Sequence, residues 1–261
     1  NNTHAGTLKI SHPYYIAIFS LFTLCMIAEP VFGQVSGYNH RKKFKVNSAS
    51  VSGASNLTNF PVLVKLTDTD LRSTGNGGDV ESPNGYDIVF TSSDGSTLLN
   101  HELEDYNAST GEIIFWVRFP TLSPTSDTEF FLYYGNAAQT TDQSVSSTWD
   151  SNYQMVLHMD NVSDATSKGN NGTNHGTSST SGVIGNARRF QENNNNYISI
   201  ADASSLDLTT DITISLWVNA DNFGTTPDLL TKGTYTDAYS TWIRSNGTLR
   251  LATDGNTLTS S

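Results

Sequence analysis

The run His101-Glu102-Leu103-Glu104 holds the side chains best suited to chemistry. On a strand, residues two apart share a face, so Glu102 and Glu104 stand side by side while His101 and Leu103 point the other way. A carboxylate pair can hydrolyse a glycosidic bond, at about 5 Å separation for retention and wider for inversion. Glycoside hydrolysis is therefore the catalytic reading of Glu102 and Glu104. The competing reading is a solvated sandwich edge. A zinc-protease helix is excluded, because a second His at helical spacing is missing and the context is a strand. Asp68-Thr69-Asp70 and Asp79-Val80-Glu81 read as loop charges rather than a metal site, and no nucleophile–base pair stands out.

Aromatic and oxygen-bearing residues later in the chain suggest binding instead. Trp217 and Trp242 are candidate sugar platforms, since indole faces stack on the apolar faces of sugars; large aromatics also fill sandwich cores. The loop from Asp164 to Thr173 is crowded with oxygen ligands. Calcium takes about six to eight oxygens from carboxylates, amides and backbone carbonyls. Asp164 would give the carboxylate, with Asn170 and the backbone near Gly169 and Asn171 adding neutral oxygens. The alternative is an Asn/Gly turn without metal. His158, on a half-buried strand, reads as structural.

These residues must be positioned by short strands. Lys43–Val46, Phe60–Leu66, Asp87–Phe90, Leu98–Leu103, Glu112–Phe119 and Glu129–Tyr134 follow one another at short intervals. Ser93-Asp94-Gly95-Ser96 is a hairpin turn. Glu112–Phe119 is apolar on both faces, as a central strand requires, and Pro120 is expected to end it. No stretch of this first series shows sustained helical periodicity. Thr148 to Asp160 reads as a seam: a turn at Trp149-Asp150-Ser151-Asn152, then a period-two strand from Tyr153 to Asp160. Beyond it, Val183–Phe190, Tyr197–Ile200 and Ile212–Val218 read as strands. Tyr239–Arg244 and Thr248–Ala252 pair across Ser245-Asn246-Gly247. The expected fold class is all-β: two antiparallel β-sandwich (jelly-roll) modules in tandem after a signal peptide, at residues 38–149 and 153–261.

The 261 residues carry 14 Lys plus Arg against 25 Asp plus Glu, a formal net charge of −11. That balance argues against nucleic acid, whose phosphates call for a basic surface. Residues 1–33 form the signal peptide and leader: Lys9 and His12, an apolar run from Tyr14 to Ala28, the Glu29-Pro30 break and Val31-Phe32-Gly33, with cleavage before Gln34. A membrane anchor is the alternative, although the run falls short of the ~18 residues a span needs. Downstream no apolar run can span a bilayer, so the expected location is secreted or extracytoplasmic. The only cysteine, Cys25, lies within the leader, leaving the mature chain without thiol or disulfide. The missing initial Met and the end at Thr259-Ser260-Ser261, just after a strand-like pair, read as a piece of a longer gene product. Six Asn-x-Ser/Thr sites, at Asn1, Asn56, Asn107, Asn161, Asn171 and Asn246, are expected by chance in so Asn- and Thr-rich a chain.

Two resemblances add to this reading. Arg41-Lys42-Lys43, Phe60-Pro61-Val62-Leu63-Val64, Asp87-Ile88-Val89-Phe90, His101–Tyr106, Trp116-Val117 and Tyr133-Tyr134-Gly135-Asn136, in that order, resemble the bacterial domain of unknown function 2341. The resemblance implies an exported surface protein, or a domain beside proton-channel subunits of the MotA/TolQ/ExbB type. Val156–Asp160, the Asp164–Thr173 loop, Ile184-Gly185 with Phe190, Tyr197-Ile198 and Ser205–Leu208 with Ile214–Val218 resemble the first part of a laminin-G-like, concanavalin-A-like jelly roll. That resemblance implies calcium at the Asp164 loop and a glycan or cell-surface ligand. Two departures stand out: Gln191 follows Phe190 where that family tends to have Asp, and Arg188 and Arg189 bring positive charge nearby. Together these readings give a non-catalytic carbohydrate-binding or adhesion protein, with a structural spacer or periplasmic ectodomain as the alternative and a glycosidase last.

Overall fold

Alternation along the longest strands sets the architecture. In a computed structural model, which describes residues 35–221, 228–233, 238–253 and 256–259, strand β5 (Glu112–Leu122) buries Ile113, Phe115, Val117 and Phe119 on one face. Ile114 is buried on the opposite face and Trp116 is half-buried there. Both faces of β5 are therefore covered, as a strand apolar on both sides demands.

Antiparallel to β5 run β2 (Leu57–Thr67) and β4 (His101–Asn107), giving the order β2-β5-β4. A second antiparallel sheet joins β1 (His40–Val46), β6 (Thr128–Tyr134) and β3 (Val89–Ser92) in the order β1-β6-β3. Phe44 and Val46, Val62 and Val64, Phe90, and Phe130 and Leu132 belong with the core face of β5 to one buried apolar cluster. This is the expected antiparallel sandwich. Burying side chains of this size contributes about 1.5–3 kcal/mol each, before the entropy of ordering them.

Pro120 does not end β5, which continues to Leu122 opposite Leu57; the ladder omits only the Asn59/Pro120 pair. Proline removes a single donor, and Asn59 takes a left-handed φ of 52° across from it, so pairing resumes beyond. The β4–β5 hairpin closes at Gly111, whose φ is +74° and whose missing Cβ would lie 1.9 Å from the Asp68 carbonyl. No other residue fits that position. The Asp94 turn forms as expected: its carboxylate accepts from the Ser96 and Thr97 amides and the Ser92 and Thr97 hydroxyls, which hold it well below the usual carboxylate range.

The stretch from Tyr153 to Asp160 forms no ladder, contrary to the alternation. Its backbone is instead taken up by the loop that follows. Asp164 accepts from the Val156 amide, the Ala165 amide donates to the Val156 carbonyl, and the Asn170 amide group donates to the Gln154 carbonyl. Two short antiparallel pairs complete this unit: β7 (Gly172–His175) with β10 (Tyr197–Ile200), and β8 (Ser178–Ser181) with β9 (Asn186–Arg189). Among the described residues, those up to Ala201 form one compact unit and those from Asp202 a second. The segment 153–201, assigned by sequence to the second module, thus lies in the compact unit that holds the first sandwich.

The unit from Asp202 onward contains a four-stranded antiparallel sheet in the order β11 (Asp228–Lys232), β12 (Tyr239–Ile243), β13 (Leu249–Thr253), β14 (Asn256–Thr259). The β12–β13 hairpin is the one expected, with Gly247 at φ +81° in its turn. Ile212–Val218 is in no ladder. Alternation fixes which of its residues share a face, but a strand also needs a neighbour to bond with. The signal-peptide reading, with Cys25, falls on residues outside those described. No helix among the described residues is long and apolar enough to cross a membrane.

Candidate functional site

Strand β4 lies at the edge of its sheet, and an unprotected edge is a liability that proteins cover. Here residues 144–149 cover it: the Ser144 hydroxyl accepts from the Leu103 amide, and the Val145 amide donates to the His101 carbonyl. This places Trp149, 5% exposed, over the outer face of the sheet beside Trp116. The ring centroids are 5.2 Å apart.

The pairing of β4 with β5 slips between Leu103 and Asp105, so Glu104 occupies a β-bulge. A bulge re-aims the side chain it carries. Glu104 accepts from Trp116 Nε1 and Glu102 accepts from Trp149 Nε1, each at 2.5 Å. His158 lies between the two carboxylates. Its Nδ1 is 3.3 Å from Glu104 Oε2, and its Nε2 is 3.2 Å from Glu102 Oε2. The Nε2 contact is an ion pair without hydrogen-bond geometry, so charge rather than direction holds that side. Burial alone would lower the imidazole pKa; the two carboxylates outweigh it and push it up to about 10. His158 is therefore a cation at neutral pH.

This corrects the solvated-edge reading of Glu102 and Glu104. Their side chains are 17% and 5% exposed, each bonded to an indole and paired with the same imidazolium. Next to His158, Met159 holds a left-handed φ of 68°, and Arg188 of β9 donates to the Met159 and Asp160 carbonyls. Gly185 closes the other side, its missing Cβ 3.2 Å from Glu104 Oε1.

His101 points away from this group, as expected. It is 5% exposed and packs against Phe90 and Phe115, with Nδ1 3.0 Å from the Leu99 carbonyl. Burial lowers its pKa, keeping it neutral. Asp68 and Asp70 both receive Lys42 Nζ, at 2.6 and 2.8 Å, so their charge is met within the protein.

The Asp164 loop gathers the expected residues, but around one another. Asp164 Oδ1 accepts from the Val156 and Thr166 amides; Oδ2 accepts from the Thr166 hydroxyl and the Asn170 amide. Asn171 Oδ1 accepts from the Asp164 amide. A carboxylate has about four lone-pair directions. All four are used, so the carboxylate expected to lead the calcium shell has no oxygen free, and this arrangement does not fit the ion. Among the described residues no group of three or more His, Cys, Asp or Glu could hold a metal.

Trp217 and Trp242 differ in setting. Trp242 is half-buried in β12, opposite Asp228 and Arg250. Trp217 is 66% exposed, between Leu216 and Val218 at 43% and 51%.

Asp87, expected only as the start of a strand and part of the family motif, has a larger structural role. It is fully buried and accepts from the Glu81, Ser82, Gly135 and Asn136 amides, tying the end of β6 to a distant loop. The legible signal was an acid directly before the fully apolar Ile88-Val89-Phe90.

Comparison with known families agrees with the first of the two resemblances. Residues 84–174 match the family described as Domain of unknown function (DUF2341). The matched span contains Glu102, Glu104, Trp116, Trp149 and His158, and it runs through the seam to the Asp164 loop. No curated protein and no solved structure matches the chain.

Proposed function

We propose that this chain is an exported, non-catalytic recognition protein at the cell surface or in the periplasm. It engages a glycan or other surface ligand through the unit that begins at Asp202. The supporting observation is Trp217, an indole 66% exposed and flanked by two exposed aliphatic side chains. A strip of this kind suits the apolar face of a sugar ring, and contiguous exposed apolar patches mark binding surfaces.

A glycosidase is disfavoured by the state of its candidate carboxylates. A general acid must deliver a proton and a base must receive one, yet Glu102 and Glu104 already face a cation and two indole donors. Calcium has no part in this reading, because Asp164 is saturated by protein donors. A second reading, which the resemblance implies and the matched domain of unknown function accommodates, is a spacer or ectodomain beside a MotA/TolQ/ExbB-type channel, in which the sandwich is scaffold.

A glycan array probed with the mature protein and with Trp217→Ala tests the proposal. Binding to defined glycans, weakened at least tenfold by the substitution, is the expected result. An empty array, or hits that Trp217→Ala leaves unchanged, would move the spacer reading ahead.

A further inference from the structure

The surroundings of His158 exceed what an ordinary surface ion pair provides. Carboxylates approach both ring nitrogens, at 3.2 and 3.3 Å. Two indoles bound the ring as well: Trp149 with its centroid 5.9 Å away, and Trp116 at 6.5 Å and an interplanar angle of 29°. Each indole is itself fixed by donating to one of the carboxylates. Acidic groups at the edges and electron-rich faces alongside form a setting complementary to a planar cation.

Four of the five side chains come from the β4–β5 hairpin and the cover of its edge. The fifth arrives on a segment with no strand of its own. That segment is held at its far end by Arg188 on the Met159 and Asp160 carbonyls, with Met159 in a left-handed conformation. We infer that Glu102, Glu104, Trp116 and Trp149 form a receptor for a small planar organic cation of the imidazolium class, with His158 as its resident ligand, delivered in cis. Residues 150–160 are then a tethered ligand and not a linker.

Among the described residues, other charged or titratable groups near the box include Arg188, committed to two carbonyls, Tyr153 and Asp150. The Tyr153 ring lies 5.1 Å from Trp149, and burial, then Asp150, pushes its phenol up to about 12. The Tyr153 phenol keeps its proton between pH 5.5 and 9, the interval of the test.

Imidazole itself is the probe, added to the full chain carrying His158→Ala. The four tryptophans are reduced to those of the box by Trp217→Phe and Trp242→Phe, so that indole emission reports the site. At about pH 5.5 imidazole is a cation; at about pH 9 it is neutral. At the lower pH the proposal expects saturable quenching and a melting temperature that rises with imidazole concentration. It expects apparent affinity to fall at least tenfold at the higher pH, and no saturable response when His158 is present. Equal responses at the two pH values, or the same linear quenching with and without His158, would overturn it.

Should His158→Ala fail to fold, His158→Lys and His158→Gln give the same decision. Lysine keeps the charge and is expected to retain at least half of the melting temperature that glutamine loses. Equal losses would show that the box does not select a cation.

Discussion

Two tryptophan-bearing stretches of this chain contrast sharply. Trp149 and the residues after it have an apolar alternation, as do the residues around Trp217. In the first case the indole is 5% exposed and its Nε1 is bonded to Glu102. In the second the indole is 66% exposed, with Leu216 and Val218 open beside it. Neither stretch forms a ladder. What separates them is the availability of other partners: the first has carboxylates, an imidazolium and a saturated Asp164 loop to receive its side chains and backbone. Period-two alternation therefore marks a stretch with two unlike faces, and the partner can be a side-chain network as well as a strand.

The contrast is broken most severely at Glu104. Glu104→Gln leaves an imidazolium buried with one carboxylate, and removing one member of a buried charged group costs about 3–5 kcal/mol. Chemical denaturation should show a loss of that order, with the midpoint displaced and the slope preserved. A loss below about 0.5 kcal/mol would place the pair among exposed ion pairs instead.

Next in size is a dependence on pH. Because the folded His158 titrates near 10, above its ordinary value of 6.5, its contribution is complete below about pH 6.5 and is lost as pH rises through 10. The melting temperature should fall across that interval, and His158→Gln should remove this part of the fall. Parallel curves for the two proteins would show that His158 is not charged in the folded state.

A smaller effect is expected at the loop. Asp164→Ala removes an acceptor shared by four donors and should destabilise by about 1–3 kcal/mol. Calcium and chelator should give the same melting temperature. A rise with calcium that Asp164→Ala abolishes would reopen the metal reading.

The smallest effect on stability belongs to Trp217. Trp217→Ala is expected to change it by no more than about 0.5 kcal/mol, as for exposed positions generally, while removing ligand binding. A loss comparable to that at Glu104 would make Trp217 a structural residue and end the contrast.

Much of the sandwich could be read from the chain. Strands β1 to β6 in order, with β4 shifted to His101–Asn107 from the expected Leu98–Leu103, the Asp94 turn, the core face of β5 and the β12–β13 hairpin follow from alternation and turn residues, which act over a few positions. The inward direction of His101 followed as well, since neighbours on a strand must point oppositely. Other features followed less well. Pro120 suggested an end to β5, but one missing donor is a local defect that flanking pairs can span. The stretches at 153–160 and 212–218 carried the strand pattern without forming strands, since pairing needs a neighbouring backbone that no local pattern supplies.

By itself, then, the sequence determined the all-β class, the order of the main strands, the acidic balance and the matched family. Each depends on composition, on spacing over a few residues or on ordered motifs. Tertiary structure alone decided that Glu102 meets Trp149 across 47 positions, that a bulge turns Glu104 towards Trp116, and that His158 arrives between the carboxylates as a cation. The reason is physical: a carboxylate's chemistry is set by the charge, donors and solvent that surround it, and distant parts of the chain bring those together only on folding.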